Sequence, residues 1–198
     1  VQNNAILDML NMKYFIYPNQ AEQNGQPMSG ISSSALGNAW ILRDIKVVAN
    51  ADSAIIALGT LDTKTSGVVE KDQADLISTS IAVDSNASVV LTSYHPEKLE
   101  YTYNSATESN VAFSEIYYAQ GWHAYLDNQE VDYFRLNYII RGLKVPAGKH
   151  TITFKYEPAT YALGTMLSAT FGSLIYVLLA ITIFFGIKNE FFNQKKEV

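Results

Sequence analysis

The sequence predicts a mainly β extracytoplasmic domain, an antiparallel sandwich or jelly roll with short helices, followed by one transmembrane helix. Three observations carry that reading. From about Thr79 onward, short β-favouring runs recur roughly every 8–12 residues, punctuated by turn residues, with no long helical pattern between them. Tyr and Phe together number 22, which suits half-buried sheet faces. No charged residue occurs between Glu157 and Lys188.

Taken in order, residues 1–12 read as a short helix or an extended lead-in. MKYFIY is a β-favouring run stopped at Pro18-Asn19, and Asn19 to Gly37 is loop by composition. Ala39 to Ala49 reads as one long strand. Asp52-Ser53 is expected to cap a short helix, AIIAL, that ends at Gly59. SGVVEK reads as an edge strand.

The strand series then begins. SIAVD and ASVVLTSY bracket the turn residues Asp84-Ser85-Asn86. KLEYTYNS alternates, with Leu99, Tyr101 and Tyr103 on one face and Lys98, Glu100 and Thr102 on the other. NVAFSEIYY follows, then a turn at Gln120-Gly121, then WHAYLD with Trp122, Ala124 and Leu126 inward. Asp127-Asn128 begins a tight turn before EVDYFRL, read as one strand. YIIRGLKV leads to a turn at Pro146-Ala147-Gly148. TITFKYE closes the series, with Ile152, Phe154 and Tyr156 sharing a face.

The apolar helix runs from Leu163 to Ile187. At about 1.5 Å per residue it spans roughly 37 Å, enough to cross a hydrocarbon core of about 30 Å. Lys188, Lys195 and Lys196 follow it, and Lys155 is the nearest basic residue before it. By the positive-inside rule, residues 188–198 form a cytoplasmic tail and residues 1–158 lie outside the cytoplasm, with residues 159–187 in the cell membrane. Gly164, Ser168 and Gly172 recur every four residues, a small-residue stripe that lets another transmembrane helix approach. Val1 shows no signal-peptide pattern. With that stripe, this leads us to expect the end of a longer membrane protein, whose other helices pack here.

Composition excludes several chemistries. Residues 1–158 hold 11 basic and 17 acidic groups, a poor surface for nucleic acid or anionic lipid. There is no cysteine, hence no disulfide, thiolate site or cysteine nucleophile. His95, His123 and His150 lack metal-ligand spacing, and no phosphate loop or nucleophile elbow occurs, so no metal and no cofactor is expected.

The segment from Phe113 to Tyr156 holds the candidate chemistry. On a hairpin turning at Gly121, Glu115 faces His123 and Asp127 as a carboxylate–imidazole pair, although any polar outer face does the same. Trp122 with Tyr117, Tyr118 and Tyr125 suggests an aromatic platform for a sugar. The inward register makes Trp122 a core residue and leaves Tyr118 and Tyr125 as the exposed rings. Glu115, Tyr118, His123 and Tyr125 are therefore the candidate glycan contacts, and no residue is assigned as catalytic. Arg135 and Arg141 sit in apolar strands, suited either to a bound anion or to internal pairing with Glu115, Asp127 or Asp132.

The order of Ser114-Glu115, Tyr117-Tyr118, Gly121-Trp122, Tyr125-Leu126-Asp127, Asn137-Tyr138, Arg141, Val145-Pro146-Ala147-Gly148-Lys149-His150 and Tyr156-Glu157-Pro158 resembles the C-terminal portion of the YfhO family of bacterial multispanning membrane proteins. Leu10-Asn11-Met12-Lys13-Tyr14 and Ala35-Leu36-Gly37-Asn38-Ala39-Trp40 also look like family segments. Part of the family reads Gly-Trp-Lys-Ala-Tyr-Val-Asp-Gly where this chain has Gly121 to Asn128 as GWHAYLDN, which marks a divergent branch. The resemblance implies a protein similar to the GT-C glycosyltransferases, which move a sugar from a lipid-phosphate donor to an extracytoplasmic acceptor such as a cell-envelope polymer. The acidic residues expected to carry that chemistry lie between early spans absent from this chain, so none is carried over.

The leading expectation is an accessory domain that positions a glycan or polymer acceptor over a membrane-embedded site. The alternative is a non-catalytic structural or protein-interaction module. A free-standing hydrolase would need a converged acid–base pair, for which the sequence offers only Glu115 with His123 or Asp127.

Overall fold

The computed structural model describes residues 4–17, 28–78 and 84–194. The chain falls into two units, Val1–Tyr156 and Glu157–Val198. The first begins with helix α1 (Asn4–Met9), strands β1 (Tyr14–Tyr17), β2 (Met28–Ile31), β3 (Ala39–Leu42) and β4 (Asp44–Val48), helix α2 (Ala51–Leu58), strand β5 (Ser66–Glu70) and a 3-10 turn at Lys71–Leu76. Strands β6 (Ser88–His95), β7 (Lys98–Ser105), β8 (Ser109–Ile116), β9 (Trp122–Leu126), β10 (Gln129–Val131), β11 (Phe134–Leu136), β12 (Ile140–Val145) and β13 (Gly148–Tyr156) follow. The second unit carries helix α3 (Ala159–Gln194). The class is the predicted one: mainly β, short helices, one long apolar helix.

Two antiparallel sheets hold the core, one in the order β10-β9-β13-β7-β6 and one in the order β11-β12-β8-β3. Their facing sides share one apolar cluster, with Leu99, Tyr101, Ile152 and Phe154 from the first and Val111, Phe113, Leu143 and Val145 from the second. Tyr101 and Phe154 each meet Phe113 edge-on at 4.9 Å, the arrangement that ring quadrupoles favour. Strand β7 buries Leu99, Tyr101 and Tyr103 on alternate positions, as its period of two predicts. Leu42, Ala112, Phe134, Leu136 and Ile140 turn to the other face of the second sheet, where Met9, Val69 and Ile77 pack against them.

The turns follow their chemistry. Asp127 and Asn128 both have positive φ (50° and 69°), and Leu126 pairs with Gln129. This is the two-residue hairpin whose mirror-image turn matches strand twist and suits Asp and Asn. Gly121 turns the chain at φ 96°, a conformation that glycine adopts without strain.

Several predicted elements need correction. Ala39 to Ala49 is two strands broken at Arg43: β3 pairs antiparallel with β8, and β4 pairs parallel with β5. The run of residues 130–136 is likewise split at Asp132-Tyr133 into strands of different sheets. Met28–Ile31, read as loop, is a strand paired with β1. Helix α2 is capped two residues before the expected Asp52, by the Asn50 side chain accepting from the Ser53 amide at 3.0 Å. Residues 79–83, most of SIAVD, lie outside the described residues, as do residues 18–27 of the expected loop.

Helix α3 has 36 residues, about 54 Å of rise. Its portion Ala159–Lys188 is long and apolar enough to cross a membrane, with a mean hydropathy of 2.2 over its most apolar 18 residues. The hydroxyls of Thr165, Thr170 and Ser173 each donate to the carbonyl four residues back, which satisfies polar groups within an apolar segment. Space is open beside Gly164 and Gly172 of the small-residue stripe.

Candidate functional site

The expected hairpin between Glu115 and His123 does not form, because β8 and β9 belong to different sheets. Arg141 pairs with Phe113 and Ile140 with Ile116, so Ser114 and Glu115 form a bulge on β8. His123 turns instead to Glu130, its Nδ1 lying 2.6 Å from Oε1. Asp127 belongs to His150, Oδ2 to Nδ1 at 2.6 Å, and also accepts from the Thr151 amide at 2.8 Å. The acid–base trio of the sequence reading is thus dispersed among three separate pairings.

Around Glu115 the arrangement is of another kind. Arg141, only 2 % exposed, points into the space between the sheets. Its guanidinium carbon lies 4.1 Å from the centroid of the Trp122 ring and 5.1 Å from that of Phe154. Its Nε donates to the Ile116 carbonyl at 3.0 Å, across the bulge. Burial lowers the Arg141 pKa, opposed by the charge of Glu115. Burial likewise raises Glu115, opposed by Arg141. The Tyr101 phenol is raised by burial first and by Glu115 next. The Tyr133 hydroxyl donates toward the carbonyls of Tyr118 (3.1 Å) and Trp122 (3.3 Å) and so ties the β8–β9 connection to the link between β10 and β11. Among the described residues, Arg141 Nη1, Tyr101 Oη and Ser114 Oγ have no hydrogen-bond partner. This is a buried cation stacked against the Trp122 and Phe154 rings, with Glu115 acting on it electrostatically, an arrangement that locks geometry.

The aromatic platform is not assembled either. Tyr118 lies in the β8–β9 connection, half exposed, its hydroxyl 3.1 Å from the Gln120 amide oxygen. Tyr125 lies on the outer face of the five-stranded sheet, with Lys155 Nζ 4.8 Å from its ring centroid. Trp122 is half-buried against the core, as its register predicts. Arg135 pairs with Glu70 at 2.6 Å, a partner that the sequence reading did not include.

Two of the candidate residues, His123 and Tyr125, stand on the outer face of the five-stranded sheet. His123, Lys155 and Lys98 stand in one row across it, and Tyr125, Thr153 and Glu100 in the next. Lys98 pairs with Glu100 at 2.6 Å. The face is polar, with Thr153 buried between its longer neighbours. No group of three or more His, Cys, Asp or Glu able to hold a metal occurs among the described residues.

Two buried polar residues escaped the sequence reading. Asn137 Oδ1 accepts from the Val68 amide at 2.8 Å, while its own amide donates to the Val68 carbonyl at 2.8 Å. Asn110 brackets Ser78 in the same way, through its side-chain oxygen and nitrogen at 3.0 and 2.9 Å. An amide side chain among apolar residues, in strand β8 for Asn110 and in the β11–β12 loop for Asn137, was the available signal.

A family described as "Bacterial membrane protein YfhO" matches residues 55–168. No curated protein and no solved structure matches the chain.

Proposed function

The chain belongs to the YfhO family of bacterial membrane proteins, and from that premise we propose that its β unit is a non-catalytic extracytoplasmic accessory domain. In this reading it serves a glycosyltransferase-like membrane protein and holds a cell-envelope glycan or polymer acceptor near the bilayer. The observation that supports this most is the combination of a polar sheet face around Tyr125 with the dispersal of every candidate acid–base pair. The chemistry then belongs to other parts of the protein, and the small-residue stripe of α3 packs against its other helices.

The test is titration of the full chain, in nanodiscs, with cell-wall polymers and oligosaccharides. Saturable binding that Tyr125→Ala weakens supports acceptor holding; absence of binding to all of them contradicts it. A second reading, a structural or protein-interaction module, is favoured by one observation: Lys155 covers the Tyr125 ring, where a sugar would have to stack.

A further inference from the structure

The two ends of the β unit differ in chemistry. At one end β8 finishes at Ile116, β9 starts at Trp122, β13 finishes at Tyr156, and the β11–β12 loop carries Tyr138. Tyr94 joins them, since it pairs with Leu99, and the Tyr156 amide donates to the Glu97 carbonyl at 2.8 Å. The exposure of Tyr94, Ile116, Tyr118, Tyr138 and Tyr156 runs from 41 % (Tyr138, Tyr156) to 62 % (Tyr94). At the opposite end, the turns at 84–87, 105–108, 127–128 and 146–148 expose no large hydrophobic side chain.

Only Glu157 and Pro158 separate Tyr156 from the first residue of α3. Three steps of extended chain cover at most about 11 Å. The end of β13 therefore stays within that distance of the apolar helix, however the two units are turned. We propose that this tyrosine-bearing end is a membrane-interface surface, and that its partner is the zwitterionic phospholipid headgroup layer of the bilayer that receives α3. Tyrosine fits that layer because its ring leaves water while its hydroxyl stays hydrated. Glu97 and Lys98 beside the rings suit headgroup depth and not hydrocarbon. The acidic balance of the domain makes ring insertion, not attraction to anionic lipid, the source of contact.

The experiment uses the full chain in phosphatidylcholine vesicles. Because the chain has no cysteine, single-cysteine variants Tyr94→Cys, Tyr118→Cys and Tyr138→Cys each take one fluorophore, with Asn86→Cys as the distal control. Leu179→Cys, quenched by an acyl-chain nitroxide, reports insertion of α3. Circular dichroism confirms that each variant is folded. With headgroup-nitroxide lipid, the three tyrosine positions lose most of their emission and Asn86→Cys keeps its own. Equal emission at all four positions overturns the proposal. So does blue-shifted, unquenched emission at the tyrosine positions, which would mean a protein neighbour. No glycan enters the measurement, so its failure is separate from failure of acceptor holding.

Discussion

The Arg141 guanidinium lies 4.1 Å over the Trp122 ring and bonds through Nε to the Ile116 carbonyl, so that one side chain joins β12, β8 and β9. The two sheets are therefore fastened by a stacked cation at one end of a core that is otherwise aromatic and aliphatic. A buried arginine that serves three strands is an architectural element.

Arg141→Met tests this role. It removes the stacking and the bond to Ile116 while keeping bulk. A desolvated cation–π contact is worth roughly 2 kcal/mol, so the variant loses about that much stability in urea unfolding of the full chain in detergent. Arg141→Lys restores little, because an ammonium cannot both stack flat and reach the Ile116 carbonyl. Full rescue by lysine would contradict the account.

Asn137 fixes the β11–β12 loop to β5 from a left-handed backbone conformation, φ 49°. Asn137→Ala orphans the buried Val68 amide, at roughly 1–3 kcal/mol. It also places alanine in a region that costs roughly 1–2 kcal/mol. Asn137→Gly pays only the first cost, so the difference between the two variants measures the backbone contribution.

Gly142 sits under the Phe134 ring, and a Cβ there would lie 2.2 Å from a ring carbon. Phe134 is fully buried and cannot swing clear. Gly142→Ala therefore overpacks the core and lowers stability by roughly 1–3 kcal/mol, read as a lower urea midpoint at unchanged slope.

The His150–Asp127 pair gives stability a pH window. The hydrogen bond to Asp127 raises His150, and the bond to His150 lowers Asp127. The histidine contribution is complete below the unfolded value of about 6.5 and fades as pH rises through the raised folded value. The aspartate contribution is complete above about 3.9 and fades as pH falls through the lowered folded value. Both act together only between those limits. Asp127→Asn keeps the left-handed turn and removes the charge. It should flatten the window by roughly 0.2–1 kcal/mol, small because the carboxylate is half exposed. An unchanged pH profile would contradict the assignment.

Local periodicity made much of this fold legible: the alternation of Leu99, Tyr101 and Tyr103, the Asp127-Asn128 turn and the uncharged helix each act within a few residues. What stayed hidden depends on distant partners. Period-two patterning continues through Arg43 and through Asp132-Tyr133, although the chain changes sheet there, because each half still alternates. The parallel pairing of β4 with β5 spans a helix and leaves no adjacent signal. Glu115 was legible as unusual, and Arg141 already stood among its candidate partners beside His123 and Asp127. What spacing could not show is the bulge at Ser114-Glu115, which sets Glu115 within electrostatic reach of Arg141 and away from the other two.

We propose that the β unit stands outside the cytoplasm and that α3 crosses the membrane. Single cysteines placed at Asn86 and at Lys195 of the otherwise cysteine-free chain, in intact cells exposed to a membrane-impermeant maleimide, test it most directly. The account predicts labelling at Asn86→Cys before lysis and at Lys195→Cys only after lysis. The reverse order, or labelling of both only after lysis, would contradict it.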